Sequence, residues 1–357
     1  MRYELKTSHA QDVKLFRDRG TKRSYAALAI LVISAPLLTD DYGLSQLSFV
    51  YIYAIVGVGM MLLSGFTGLI SLGHAAFFAA GAYTTALLEK NGLDFALTLP
   101  AAAVLAGFLG LLVGLPSLRL TGIYLTIATL AFAFIVEEVL ARWQDLTGGN
   151  DGLLLDDAIF LGITIDSEVR FYYLAAGLLT LSLLLAANIL RAPLGRAMIA
   201  VRDSETAAYA MGINVAFIKT ATFSVSAALT GVAGALYAHK LTFISPEQFT
   251  IFLSIEFLLI VIIGGLGSLH GAVFGAIFVI ILPQIVMLFR DFLPTEIANL
   301  PGLETAAFGL VLILFILFEP LGLYGIWRKV LHYGKAFPFY KKNTFKREKS
   351  FLRGESN

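Results

Sequence analysis

Apolar runs of about membrane-crossing length, separated by short polar breaks, organise most of this chain. A bilayer core takes roughly 20 consecutive apolar residues of helix. By that measure the chain predicts about ten spanning segments, over residues 24–39, 44–63, 66–88, 97–115, 121–140, 170–190, 216–238, 251–267, 270–289 and 303–326. The expected fold is an all-α polytopic bundle. The first segment is short, and Gly65, Gly68, Gly73 and Gly81 punctuate the third. Each of these two reads either as a full crossing or as a re-entrant, half-inserted piece.

Composition agrees with the pattern. Hydrophobic residues make up 58% of the chain and charged ones 14%, with a mean hydropathy of +0.80, which is the profile of an integral membrane protein. The chain has no cysteine, so disulfides, thiolate nucleophiles and cysteine-held metals are excluded. No metal site and no nucleic-acid partner are expected.

Charge distribution orients the bundle. Of the 26 Lys and Arg, 16 fall in residues 1–23 and 328–357. Basic residues favour the cytoplasmic side, and an even number of crossings puts both tails there. The same count places Arg119, Arg191, Arg196, Arg202 and Lys219 inside. It leaves the loop 141–169, with Asp145, Asp151, Asp156, Asp157, Asp166 and Glu168, outside. The polar, basic first 23 residues read as a retained cytoplasmic tail instead of a signal peptide.

One cytoplasmic loop carries a helix of its own. In "RAPLGRAMIAVRDSETAAYAMGINVAFIK", Pro193 and Gly195 break the preceding span, and Asp203 or Ser204 can cap a new helix with Glu205 in its first turn. Gly212 and Asn214 can stop it after about two to three turns. Ala207, Ala208, Ala210 and Met211 give it a face of small and apolar side chains, suited either to the membrane surface or to a partner protein.

This loop resembles the coupling segment of ABC importer permeases, whose acidic residue, paired alanines and following glycine correspond to Glu205, Ala207, Ala208 and Gly212; Thr206 departs from the strict run. "SGFTGLISLGHAAFFAAGAYTTALL" (64–88), "IGGLGSLHGAVFGAIFVIILPQ" (263–284) and "LTGGNDGL" (146–153) are similar to signature segments of branched-chain amino-acid permeases of the LivM type. The resemblance implies a cytoplasmic tail at 1–23, a permease domain at 24–326 with a coupling loop at 191–215, and a basic cytoplasmic tail at 327–357. It implies ATPase coupling through Gly195, Arg196, Arg202, Glu205, Ala207, Ala208 and Gly212. It also implies two ABC ATPase subunits, a second related permease subunit and an extracytoplasmic binding protein as partners, in a cytoplasmic (inner) membrane. A urea or amide permease of the same family, and an ion-coupled secondary transporter, are the competing readings.

Small residues let helices approach closely, and a broken helix is tolerated in a membrane only where it faces protein or a watery path. Gly68, Ser71, Gly73 and His74 in one block, with Gly264, Gly265, Gly267 and Ser268 in the other, are therefore candidates for the substrate pathway, with close packing as the simpler reading. His74 is either a pathway group or a neutral histidine satisfied by a neighbouring helix; His270 reads as interfacial. Glu256, a carboxylate inside an apolar run, reads as a contact for a substrate ammonium or as a side chain reaching the outer surface. Thr147, Gly148, Gly149 and Asn150 form a turn-rich stretch, suited to an outer gate, to a binding-protein contact or simply to ending a span.

Enzymatic readings find little support. Ser71 with His74, or Ser268 with His270, supplies residue types for an intramembrane serine protease, but there is no G-x-S-x-G elbow, no evident acidic partner and no H-E-x-x-H motif. No G-x-x-x-x-G-K-S/T phosphate loop occurs either. The chain is thus expected to hold no cofactor of its own, with ATP bound by partner subunits.

Overall fold

The computed structural model describes residues 19–118, 120, 122–290, 303–318 and 322–336. The tail segments 1–18 and 337–357, and Arg119, lie outside the described residues. The described chain is nearly all helical. Six helices among the described residues are long and apolar enough to cross a membrane: Asp41–Phe66, Phe95–Gly114, Ile123–Arg142, Glu168–Arg191, Val215–Leu241 and Pro246–Gly264, with shorter apolar helices at Arg23–Leu38 and Leu269–Ile285.

The core is built on α2 (Asp41–Met60). Asp40 caps it by accepting from the Gly43 amide at 3.1 Å. Every residue from Ile52 to Gly65 is buried, as its all-round apolar sequence requires of a helix with no solvent or lipid face. Around it stand α6 (Glu168–Arg191), α9 (Val215–Leu241), α10 (Ile251–Gly264) and α11 (Leu269–Arg290). Past Met60 the helix widens into a π turn, Met61–Phe66, and is then lost. Helix resumes only at His74 with α3 (His74–Lys90). The sequence extends the third span back to residue 66; the structure leaves 68–73 non-helical.

Small residues set the spacing of the next layer. α4 (Phe95–Gly114) lies along α9, and α3 crosses it. A Cβ added at Gly234 would overlap the Phe78 carbonyl, so this crossing exists only with glycine there. α5 (Ile123–Arg142) stands at the periphery with most of its apolar face uncovered.

Proline chemistry ties down α1 (Arg19–Leu38). Pro36 has no N–H to give the Val32 carbonyl one turn back. The Tyr172 hydroxyl of α6 donates to that oxygen at 2.9 Å instead. Tyr172 thereby accepts from the Tyr51 hydroxyl, 2.8 Å away, so one phenol pair joins α1, α2 and α6.

Two departures from the sequence expectation concern irregular segments. The 303–326 span is divided into α12 (Leu303–Phe318) and an amphipathic α13 (Gly322–Ala336); Pro320 lies between them in the sequence and lacks the N–H that a continuing helix needs. The loop 141–169 is not plain coil. It holds β1 (Leu153–Leu154) and a hairpin of β2 (Ala158–Phe160) with β3 (Ile163–Ile165). β1 pairs antiparallel with β4 (Phe243–Ile244), beyond α9, in the register Leu153 to Ile244 and Leu154 to Phe243.

Candidate functional site

The 191–215 loop is two helices, α7 (Pro193–Asp203) and α8 (Glu205–Ala210). Proline is favoured at the first position of a helix, and Pro193 occupies it. Gly195 is buried where any Cβ would overlap the backbone of Leu190, which permits the sharp turn out of α6. Ser204 caps α8, its hydroxyl accepting from the Ala207 amide at 3.3 Å. Gly212, at φ +81, ends that helix, and Asn214 caps α9 by accepting from Phe217 at 3.0 Å. The helix is shorter than the sequence suggests, six residues. Of its small face, Ala208 is buried toward the body, whereas Ala207, Ala210 and Met211 are exposed. Arg196 on α7 is also exposed.

Two charged side chains fasten this unit to the bundle. Glu205 forms an ion pair with Lys219 in the first turns of α9. Arg202 donates through Nη1 to the Gly65 carbonyl at 3.0 Å, an oxygen left over where the π turn ends, while its Nε and Nη2 hold Asp203 at 3.1 and 3.0 Å. The aliphatic stem of Arg202 covers Gly68, and its guanidinium lies against Gly267. The Gly267 amide donates to Met61 Sδ at 3.3 Å. The end of α2, the break after it and the α10–α11 turn thus converge on one arginine. Gly265 and Gly267 carry φ of +106 and +83, which a β-carbon would strain. Gly264 and Ser268 are buried beside them. Gly322 at the start of α13 abuts Gly265 so closely that no side chain fits between.

The far end of the same break is a buried polar cluster. His74 is fully buried, with Nδ1 3.2 Å from Ser71 Oγ and Nε2 2.9 Å from Ser226 Oγ. A helix that begins inside a membrane protein must find acceptors for its first amides. Here the Ala75 amide donates to Ser254 Oγ at 3.0 Å and Gly73 to Ser71 Oγ at 3.2 Å. Leu72 donates to Thr129 Oγ1 at 3.0 Å. α3, α5, α9 and α10 therefore meet at one point.

The eight pathway residues do not form one group. Gly68, Gly264, Gly265, Gly267 and Ser268 sit at or next to the α7 contact, whereas Ser71, Gly73 and His74 belong to the buried cluster. His270 has a separate role, its Nε2 2.7 Å from the Tyr25 hydroxyl and its ring stacked on Tyr324 of α13.

At the opposite end, Thr147 is buried, its hydroxyl 2.7 Å from both the Leu140 and the Trp143 carbonyls, which share its single proton. Its oxygen accepts from Gly149 at 3.3 Å. Gly148 and Gly149 take φ of +72 and +57, and Asn150 is exposed. Glu89 pairs with His239 and Glu168 with Lys240 at this end. Sequence reasoning missed Thr129, Ser226 and Ser254; their only signal was a hydroxyl within an apolar run.

A family model described as the permease component of the branched-chain amino acid transport system matches residues 43–318. The high-affinity branched-chain amino acid transport system permease protein LivM of Escherichia coli K12 is 35% identical over 330 residues, covering 85% of this chain and 75% of that protein. A probable branched-chain amino acid transport permease protein LivM of Methanocaldococcus jannaschii is 26% identical, covering 62% and 67%. The autoinducer 2 import system permease protein LsrC of Salmonella typhimurium is 24% identical, covering 76% and 80%. No solved structure matches.

Proposed function

The chain belongs to the branched-chain amino acid transport permease family, and from that membership we propose that it is the inner-membrane subunit of an ATP-driven importer carrying branched-chain amino acids into the cytoplasm. It works with two ATPase subunits, a second related permease and an extracytoplasmic binding protein. About ten crossings, with both termini cytoplasmic, put α7 and α8 on the ATPase side and the 143–165 loop on the binding-protein side. Nucleotide is bound by the partners, and the permease itself moves cargo without catalysing a reaction.

The observation that carries this reading is the double attachment of the α7–α8 unit. Its exposed Ala207, Tyr209, Ala210 and Met211 offer a shallow surface to a docking ATPase. Glu205 holds α9, and Arg202 holds the end of α2 and the α10–α11 turn. A push on α8 is delivered to three helices at once, and such a unit can shift a bundle between two packings. The glycine turns at 68 and 264–268 then act as the inner gate, the His74 cluster as the pivot above it, and Thr147 to Asn150 as part of the outer gate. An ion-coupled carrier has no use for an exposed unit fastened in this way.

Reconstitution of the permease pair with ATPases and binding protein in proteoliposomes tests the proposal. Leucine uptake is expected to require ATP inside the cytoplasmic-facing compartment and to persist when ion gradients are collapsed. Uptake that survives ATP depletion and stops on collapse of an ion gradient overturns it.

A further inference from the structure

Glu256 is the sixth residue of α10, half-buried among apolar side chains. A carboxylate at such a depth ordinarily has a cation beside it. Of the other partly buried glutamates, Glu89 has His239, Glu168 has Lys240 and Glu205 has Lys219, whereas Glu137 on the peripheral α5 forms no ion pair among the described residues. Among the described residues Glu256 forms no ion pair. It faces the phenols of Tyr53 and Tyr237.

Those phenols open an aromatic wall. The Tyr53 ring lies 5.4 Å from Phe257, and Phe78 stands 5.2 Å from Phe257 and 4.9 Å from Tyr237. Phe249, 2% exposed, continues the wall toward Tyr83, at 5.9 Å. The Tyr83 hydroxyl is buried and makes no hydrogen bond among the described residues. The region thus combines a carboxylate that has a phenol but no cation beside it, π faces that attract cations, an apolar surface and an idle hydroxyl. One small cargo answers all of these, a primary ammonium carried next to an aliphatic side chain.

We propose that Glu256, with the Tyr53, Tyr237 and Phe78–Phe257 wall, is the station at which the permease receives the ammonium group of its amino-acid cargo. The proposal rests on the amino-acid importer reading. It gives that reading a chemical basis within this chain, because a carboxylate without a cationic partner attracts an ammonium more strongly than it does an uncharged urea or amide. Aromatic rings take up the aliphatic side chain without selecting its branching.

The test uses the complete importer in proteoliposomes at saturating binding protein, with radiolabelled leucine as the probe and wild type, Glu256→Gln and Glu256→Asp compared. The glutamine variant is isosteric and neutral. It is expected to lose at least tenfold in leucine turnover while keeping binding-protein-stimulated ATP hydrolysis; the aspartate variant keeps the charge and is expected to retain more turnover than the glutamine one. Leucine turnover in Glu256→Gln equal to wild type overturns the ammonium station and leaves the importer reading standing. Absence of leucine uptake by the wild type, with ATP hydrolysis intact, overturns the importer reading and the station with it. Should the glutamine variant not assemble, Glu256→Met, neutral and of similar length, is read in its place: a tenfold or greater loss of leucine turnover with ATP hydrolysis kept supports the station, and unchanged turnover overturns it.

Discussion

Lys219 Nζ stands 2.7 Å from Glu205 Oε1, with the lysine side chain 2% exposed and the glutamate 41%. The pair spans the joint between α8 and α9, and its lysine cannot turn to solvent if the glutamate leaves. An ammonium left buried without its partner is far costlier than the pair is favourable.

Glu205→Ala is therefore expected to loosen α8 from α9 more than Lys219→Met, which removes the charge in need of a partner. A double-mutant cycle on thermal unfolding should give a coupling energy of about 0.5–3 kcal/mol. In the reconstituted importer both variants should hydrolyse ATP with less leucine moved per ATP. Additive stabilities and an unchanged ratio would show that the pair transmits nothing.

Arg202→Ala strips the Gly65 carbonyl of its donor and uncovers Gly68 and Gly267. Hydrogen bonds from charged groups contribute about 1.5–3 kcal/mol, and a loss on the lower side is expected because Arg202 is partly exposed. Arg202→Lys should recover little, since one ammonium cannot reach the carbonyl and Asp203 with the same forked geometry. Melting temperature and leucine uptake of the two variants check this.

Tyr172→Phe leaves the Val32 carbonyl without a donor, at a cost of about 1–3 kcal/mol. Pro36→Ala supplies a backbone N–H for the same oxygen. In the Pro36→Ala background the Tyr172→Phe penalty should shrink by half or more, which the melting temperatures of the four proteins measure. An equal penalty in both backgrounds would mean that the proline is not the reason for the tyrosine.

Ser254→Ala orphans the Ala75 amide at the start of α3. About 1–3 kcal/mol of stability should be lost, with amide exchange rising at the first turn of α3 before the rest of the helix. Ser254→Thr keeps the hydroxyl and should restore most of the protection.

Regular helices were legible in the chain because burial and lipid exposure both select apolar residues over a length the bilayer sets. The span read at 216–238 is the heart of α9, Val215–Leu241, and the interruption in the third span was written in Gly68 and Gly73. The contacts that make those breaks useful were not legible. Thr129, Ser226 and Ser254 come from three helices far apart in sequence, and no periodicity announces that they meet at one helix start. Lys219 reads as a loop charge; its burial follows from α8 folding back over it. β1 and β4 hold two residues each, too few to alternate.

α9 runs unbroken for 27 residues, about 40 Å at the rise of an α-helix. At one end it bears Lys219, and just past the other it gives Ile244 to the ladder with Leu153. A rod of that length with no proline or π turn inside it does not absorb displacement along its axis. A displacement at Glu205 is therefore expected to reach the β1–β4 pair beyond the far end of α9 through a single stiff element.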